Sequence, residues 1–502
     1  MALSKDSACV QPLAANGTAR TAARQNAAGK KLIGERKNTR RAVESAQLVA
    51  ASYNDQMSES DTTDPAALEN RSRSRFRDMG RSLKHRNFQL FFSGQLISLI
   101  GTWMDTAAEA LLVYRLTGSS FLLGIAAFAG QIPVSLFATA GGYVADRFDR
   151  RKIVIGTQTA SMLLAGTLAF LTLTHRVTVE QVIILAAAMG VVNAFDIPTR
   201  QAFLVEMVGR EDLMNAIALN SSMFQGARVI GPVIAGIIVY KVGEGWCFFG
   251  NSVSYIAVIA GLLLMRIAPK PKREGAQVPP LEHIREGFRF ARNTAPIRAL
   301  LMLIALVSVA AMPYSVLMPV FAEKILHGTA RTYGVLMGAV GIGALFGALT
   351  LASRRGVKGL GRLVAIACGG FGTGLILFSF SRWYVLSLCV LVAMGFSMMT
   401  QMASSNTLIQ VMVPDRLRGR IMAVYSMMFM GMAPLGALLY GALAERIGAP
   451  HTLALGGFVA IIGAIFFARN LPKIRIEAQE LIIAQGMAGG EPAQEMTTPI
   501  VE

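Results

Sequence analysis

Two acidic residues lie inside a long apolar run of the sequence, where charged side chains are rare. Asp105 and Glu109 are four residues apart, so that on a helix they share one face. Two carboxylates in a poorly hydrated cavity disfavour joint ionisation, and we expect at least one of them to exchange protons near neutral pH. The alternative is that both lie near the outer end of the helix in a hydrated vestibule, where they are only solvated or paired with a cation.

Arg228 lies near the middle of another apolar run. A charged residue at bilayer depth costs about 3 kcal/mol, so we expect Arg228 to face a polar interior and to have a partner. One interpretation is that Arg228 balances the charge of a substrate or of a protonatable acid. The alternative is that Arg228 only holds two helices together. The candidates for proton coupling or substrate binding are therefore Asp105, Glu109 and Arg228.

A third acidic residue, Asp196, also lies within an apolar run and has a basic residue one helical turn away. Asp196 and Arg200 are four residues apart, with Pro198 between them. Mutual pairing is the simplest explanation, and a role as a secondary gate is the alternative. Pro198 is expected to loosen the helix locally.

No group of residues indicates catalysis or a cofactor. The four cysteines are scattered, and the five histidines are far apart, with no His-x-x-x-His pair. The glycine-rich stretch 369–374 has no strand before it and no lysine after it, which argues against a nucleotide-binding loop. We therefore predict no catalytic residues, no enzyme activity, no metal and no cofactor, and an ion gradient as the energy source.

Composition indicates that lipid is the solvent of most of the chain. Of 502 residues, 53% are hydrophobic and 16% are charged, whereas about a quarter of the residues in a soluble domain are charged. Twelve apolar runs have the roughly twenty residues that a membrane-spanning helix needs. They predict an all-α membrane protein with spans at 88–114, 120–144, 153–174, 180–203, 213–240, 246–267, 298–322, 331–353, 361–381, 383–412, 418–443 and 450–469.

The formal charge of +18 raises the question of a nucleic-acid partner. Lysine and arginine concentrate in the N-terminal arm and in every second connecting loop, which is a signal of membrane topology and not of a groove-binding patch. We therefore predict no nucleic-acid partner. Because basic loops stay on the inner side of a membrane, we expect both termini to be cytoplasmic.

The linker at 268–297 divides the twelve runs into six and six. Within it, apolar and basic residues recur on different faces from Leu281 to Asn293, which predicts an amphipathic helix on the inner membrane surface. Met57 opens a polar stretch typical of a natural N-terminus, and we expect translation to start there. The predicted domains are a disordered basic cytoplasmic arm at 1–85, an N-terminal six-helix half at 86–267, the linker at 268–297, a C-terminal six-helix half at 298–469 and a cytoplasmic tail at 470–502.

Several positions of the first half recur in the second half at a constant offset of 205 residues. Gly142 matches Gly347, and Arg150 matches Arg355. The two copies run in the same direction, which is typical of a parallel repeat with two pseudo-symmetric halves around a site near the bilayer midplane. Asp146 has no acidic counterpart in the second copy, so we expect an asymmetric cytoplasmic gate.

The basic turn between the second and third apolar runs combines a glycine with several charges. Gly142 is expected to let two helices approach closely, while Asp146 lies beside Arg147, Arg150 and Arg151 and can pair with them across a helix boundary. These residues predict a latch. Their spacing resembles the signature loop between the second and third helices of the major facilitator superfamily, and the resemblance implies that they form the cytoplasmic gate.

The fifth apolar run carries small residues at helical intervals around a proline. Gly226, Gly231 and Gly236 favour tight helix contact, and Pro232 removes one backbone hydrogen bond and bends the helix. The pattern resembles the fifth-helix motif of the superfamily's antiporters, although Ala235 replaces the first glycine of the final pair. The resemblance favours export over uptake.

Short motifs along residues 85–470, among them Ala145–Arg151, Phe195–Ala202 and Ala227–Pro232, resemble the branch of the superfamily that contains enterobactin-type siderophore exporters and macrolide efflux proteins. In that branch we expect uncharged residues at Asp105 and Glu109, so the proton hypothesis depends on the residues themselves. The resemblance implies a multi-pass protein of the cell membrane, the inner membrane in a bacterium. It would work as a monomer by alternating access and export a drug-like compound or siderophore, with proton antiport. A proton-coupled importer and a lysolipid flippase of the same fold are the alternatives.

Overall fold

The computed structural model describes residues 81–209, 211–266, 280–354 and 356–489. Outside the described residues lie the predicted arm up to residue 80 with the start at Met57, residues 267–279 of the linker, Arg355 of the repeat and residues 490–502 of the tail. The described part of the chain contains helices and turns and no strand, which confirms the predicted all-α class.

Twelve helices in the described residues are long and apolar enough to cross a membrane, as predicted. The first six are α1 (Arg86–Thr117), α2 (Ser120–Arg147), α3 (Arg150–Leu173), α4 (Val179–Val208), α5 (Leu213–Val242) and α6 (Glu244–Leu264). The second six are α7 (Ala295–Ile325), α8 (Ala330–Ala352), α9 (Leu360–Phe380), α10 (Tyr384–Met412), α11 (Asp415–Ile447) and α12 (Ala449–Gly489). Side-chain caps mark where α2, α3 and α4 begin, because Ser119, Asp149 and Thr178 accept backbone N–H groups of the first turn.

Two of the helices in the second half are interrupted. In α7 the regular helix ends at Ala310, and a 3₁₀ segment, Met312–Leu317, follows. In α11 a π-helical turn, Met427–Gly431, precedes Pro434. Each interruption has a proline nearby, Pro313 in α7 and Pro434 in α11, and proline cannot donate the backbone hydrogen bond that a continuous helix needs.

The predicted linker helix is present and spans Pro280–Asn293. It packs against α11 and α7, and Glu286 forms an ion pair with Arg420 of α11. Gly287 lies so close to α11 that a Cβ atom there would be 3.0 Å from the carbonyl oxygen of Arg420. The helix is therefore attached to the second half. Its position on the inner membrane surface stays a prediction.

The last helix is longer than its apolar run. The sequence predicts a span that ends at residue 469, whereas α12 continues to Gly489. The residues after 469 include good helix formers such as Leu481 and Gln479, and Pro472 is accommodated within the helix. Helix propensity therefore extends the element beyond the segment that hydropathy defines.

Helix packing repeats between the two halves. In the first half α2 packs on α4 and α3 on α6, and in the second half α8 packs on α10 and α9 on α12. Between the halves α5 packs on α8 and α11 on α2. Each contact has a counterpart six helices further along, with the count returning to α1 after α12, which is the pattern expected of a parallel repeat. Below, the basic end is the end of the bundle where α2 joins α3, and the far end is where α1 joins α2.

Candidate functional site

The two halves come closest at the far end, through two pairs of glycines. A Cβ atom at Gly441 of α11 would lie 2.8 Å from the Cα atom of Gly124 in α2, and a Cβ atom at Gly334 of α8 would lie 3.1 Å from the Cα atom of Gly236 in α5. These four glycines form what we call the glycine seam. Only residues without a side chain allow backbones this close.

Charged and polar contacts also join the halves at the far end. Arg115 at the end of α1 donates to Glu244 of α6 at 2.5 Å and to Glu323 of α7 at 2.9 Å. Glu445 of α11 accepts hydrogen bonds from the side chain of Ser119 and from the backbone N–H of Phe121 at the start of α2. The far end therefore combines backbone packing with ionic contacts.

The side chains of the predicted latch contact helices of the first half. Arg150 pairs with Asp146 at 3.2 Å and with Glu206 of α4 at 3.0 Å. Arg151 donates to the last carbonyl groups of α6 at 2.8 and 2.9 Å. Arg147 lies over the ring of Tyr143, one turn earlier in α2, and also donates to its hydroxyl oxygen. Within the described part of the chain, the hydrogen bonds and ion pairs of these charged residues tie α2, α3, α4 and α6 together.

The close helix contact predicted at Gly142 is made by its neighbour. A Cβ atom at Gly142 would meet nothing within 4 Å, whereas a Cβ atom at Gly141 would lie 2.0 Å from the carbonyl oxygen of Ala194 in α4. The prediction for Gly142 is therefore wrong, because the two adjacent glycines point in different directions on the helix and α4 lies on the side of Gly141.

Asp196 is buried, and both of its carboxylate oxygens have partners. Its carboxylate accepts hydrogen bonds from Thr157 at 2.7 Å and Gln158 at 2.9 Å, both on α3. It also pairs with Arg200 at 3.1 Å, which is the mutual pairing that the sequence favours. Asp196 therefore fastens α3 to α4 within the first half.

Asp105 and Glu109 line one narrow cavity, so they do share a face of α1. The cavity is also lined by α3 residues, among them Leu164 and Leu168, and by α4 residues, among them Leu185. It lies among helices of the first half and away from the contact between the halves. Oδ1 of Asp105 is buried with no hydrogen-bond partner among the described residues.

Arg228 of α5 lies beside an aromatic pair. Its guanidinium group is 5.6 Å from the ring centre of Trp103 in α1, and the ring of Phe224 contacts Trp103 edge-on with ring centres 5.5 Å apart. One turn before Arg228, Gln225 donates to the sulfur of Met399 in α10 at 3.7 Å. This face of α5 is therefore directed at α1 and at the second half.

The small residues of α5 have different neighbours. A Cβ atom at Gly231 would lie 2.5 Å from the Cβ atom of Trp103, and Gly236 belongs to the glycine seam. Pro232 is buried within the helix. The tight contact predicted at Gly226 is wrong, because a Cβ atom there would meet nothing within 4 Å. The antiporter-like motif thus places α5 against α1 on one side and against α8 on the other.

Comparison with known proteins identifies the family. A family model described as transmembrane secretion effector matches residues 81–496. The chain belongs to this family, a branch of the major facilitator superfamily. Similar proteins include the staphyloferrin A transporter of Staphylococcus aureus, 25% identical over 77% of this chain and 97% of that protein, and the enterobactin exporter EntS of Shigella boydii, 24% identical over 78% and 93%. The multidrug efflux pump Tap of Mycolicibacterium fortuitum is 27% identical over 75% and 93%.

Solved structures support the fold of this family member. The nucleoside transporter NupG has a TM-score of 0.61 at 12% identity, with 78% of this chain and 99% of that chain covered. The D-xylose-proton symporter has a TM-score of 0.58 at 12% identity, with 77% and 96% covered. These structures confirm the predicted fold, and the family match confirms the resemblance to the superfamily.

Several contact residues were not singled out from the sequence. Glu206 lies in α4, 56 residues after Arg150 in the sequence, and it still pairs with Arg150. Glu445 and Arg115 lie near helix ends, where single charges are common. Asp149 had a usable signal, because an aspartate directly before a new helix is a preferred N-cap.

A polar cluster at the basic end connects the chain before α1 to the start of α5. Asp212 pairs with Arg81 and His85, each at 2.7 Å, and the backbone N–H of Ser82 donates to Asn215 at 2.9 Å. The hydrogen bond with His85 is the largest influence that holds the pKa of Asp212 below its ordinary value. We call these contacts the Asp212 tether.

Proposed function

We propose that the protein is a secondary active exporter of a small amphipathic molecule, a drug-like compound or a siderophore, and that it works by alternating access with proton antiport. The relatives named as an enterobactin exporter and a multidrug efflux pump support export. The antiporter-like pattern around Gly231 and Pro232 in α5 supports the same direction.

The single observation that carries this proposal is the asymmetry of the contacts between the halves. The glycine seam and the contacts of Arg115 and Glu445 join the halves at the far end. At the basic end the charged residues of the latch contact helices of their own half. We interpret this arrangement as a transporter that is closed at the far end, and we expect access from the basic end.

The excess of basic residues places the basic end in the cytoplasm under our proposal. A substrate would then enter from the cytoplasm, and transport would require the seam to separate. In the opposite state Asp146, Arg147, Arg150 and Arg151 would act as the cytoplasmic gate. The pair of Asp196 and Arg200 would act as a secondary gate by holding α3 against α4.

Asp105 and Glu109 are our candidates for the proton site. Both line a cavity within the first half, where carboxylates are poorly hydrated. Because this cavity is separate from the face of α5 that carries Arg228, protons and substrate would occupy different sites. Binding of a proton would then affect binding of the substrate through the position of α1, because α1 contributes residues to both sites.

The test uses inverted membrane vesicles, with and without a pH gradient, and a panel of labelled amphipathic compounds and siderophores is added outside one set of vesicles and loaded into another. We expect accumulation that depends on the gradient, and we expect Asp105→Asn together with Glu109→Gln to abolish that dependence. Glu477→Gln is the matched control, because Glu477 is an exposed carboxylate far along α12. Unchanged pH-driven accumulation in the double variant would exclude these two residues, and gradient-driven depletion of the vesicles would indicate an importer.

A further inference from the structure

Arg228 carries a positive charge that no carboxylate of the described residues balances. It lies near the middle of the 30-residue helix α5. The described residues provide it with no hydrogen bond or ion pair, and its contact is the ring of Trp103. A guanidinium group has five N–H donors and no acceptor. Its donors are therefore available to a molecule that enters between the halves.

The second half offers no counter-charge at this depth. From Ala295 to Gln479 the acidic residues are Glu323, Asp415, Glu445 and Glu477, and none lies in the middle of its helix. The helices that face α5 across the contact between the halves are therefore free of carboxylates in their interior.

The carboxylates of the first half are directed elsewhere. Asp105 follows Trp103 by two positions in α1, which is about 200° around a helix, and it lines the separate cavity with Glu109. Asp196 is engaged by Arg200 and by two α3 side chains. A charge at bilayer depth is stabilised by a partner, and since no described carboxylate pairs with Arg228, a ligand can supply that partner.

An aromatic pair lies beside the cation. Trp103 is held in place because Gly231 allows α1 and α5 to touch at that level. Phe224 lies edge-on to Trp103, and 44% of its surface is exposed. Gln225, next to Phe224, contacts α10 of the second half. A planar ring can stack on such side chains while an acidic group on the ring meets Arg228.

We propose that the substrates are organic anions with a planar aromatic group, bound with the anionic group on Arg228 and the ring against Trp103 and Phe224. This inference deepens the proposed function and rests on it, because the site is a transport site only if the protein is a transporter. It excludes organic cations as the preferred class, because a cation would meet the uncompensated charge of Arg228.

The test measures binding, without a gradient and without a direction of transport. The full chain has three tryptophans, and Trp246→Phe with Trp383→Phe leaves Trp103 as the reporter. In nanodiscs, the fluorescence of Trp103 is titrated with 4-nitrobenzoate, with the neutral 4-nitrobenzamide and with the cationic 4-nitrobenzylamine. All three quench tryptophan on contact and have rings of similar size. Free indole measured under the same conditions corrects for absorption of light by the probes.

We expect saturable quenching by 4-nitrobenzoate at a concentration about tenfold or more below that needed for the amide, since a hydrogen bond to a charged group contributes this much. Arg228→Gln should remove the preference for the anion, and Arg228→Lys should keep part of it. Lys241→Gln is the matched control, because it removes an exposed cation from the end of the same helix and should leave the preference unchanged.

Equal half-saturation by the benzoate and the amide in the reporter protein would overturn the inference, and so would an anion preference that survives in Arg228→Gln. The first comparison needs no substitution at Arg228, so it decides the question even if Arg228→Gln does not fold. If vesicles export nothing while the anion preference depends on Arg228, the proposed function fails and the anion site remains. If vesicles export cations alone, the site fails and export remains.

Discussion

Adding one methyl group at Gly441 tests whether the glycine seam keeps the two halves together at the far end. In Gly441→Ala the new Cβ atom would lie 2.8 Å from the Cα atom of Gly124 and 2.8 Å from the carbonyl oxygen of Ser120, whereas ordinary contact begins at 3.4 Å. Both atoms belong to the backbone of α2 and cannot rotate away. Overpacking of this kind costs about 1–3 kcal/mol. If this cost destabilises only the form that is closed at the far end, the population of the closed form relative to the open form decreases by about 5- to 150-fold.

The assay places a cysteine at the seam and measures how fast it reacts. Ser120 is 8% exposed and lies beside Gly441, so Ser120→Cys in a chain without its four native cysteines is a reporter of opening. The rate of labelling by a charged maleimide in nanodiscs should rise in Gly441→Ala by a factor within the range given above. The measurement needs neither a substrate nor a known orientation.

Gly419→Ala is the matched control, because Gly419 is in the same helix and a Cβ atom there would meet nothing within 4 Å. Both substitutions raise the helix propensity of α11 by about 1 kcal/mol, so this contribution cancels in the comparison. Labelling of Ser120→Cys that is equally slow in Gly441→Ala and Gly419→Ala would refute the view that the seam closes the far end.

Three other contacts give predictions of known sign. Asp196→Asn should lower the midpoint of thermal unfolding in detergent, because Arg200 loses a buried charged partner and the cost is about 1–3 kcal/mol. Arg115→Gln should speed the labelling of the seam cysteine by at most about fivefold, since a partly exposed ion pair contributes up to about 1 kcal/mol. The Asp212 tether should be intact above the ordinary carboxyl pKa of 3.8 and should be lost as pH falls through the lowered pKa of Asp212. The protection factor of the Ser82 amide against hydrogen exchange should decrease there, and in Asp212→Asn it should already be low at neutral pH.

The prediction for Asp196→Asn has a matched control in the chain. For Asp196→Asn it is Asp415→Asn, since Asp415 pairs with Arg418 while 84% exposed, and a pair of this kind contributes little. An unfolding midpoint as high in Asp196→Asn as in Asp415→Asn would contradict the assigned role. For the tether, a protection factor at Ser82 that does not change between neutral and acidic pH would show that Asp212 does not hold this segment.

The number and order of the spans could be predicted from the sequence because hydropathy is a local property of about twenty consecutive residues. The pair of Asp196 and Arg200 was also predictable, since residues four apart meet on any helix. The prediction for Gly142 was wrong because helical geometry does not say which of two adjacent glycines faces a neighbouring helix. Glu206 had no local signal, since its partner Arg150 is on another helix.

The twelve spans, the amphipathic linker helix and the family could be read from the order of residues, because each depends on their spacing along the chain. The position of Arg228 against Trp103, with Asp105 and Glu109 facing a different cavity, became known only from the packed helices. The packed helices also show that the halves meet through glycines at the far end. The physical reason is that these arrangements depend on how helices rotate and pack against helices distant in sequence, and in lipid that packing is selected by shape and by rare polar contacts.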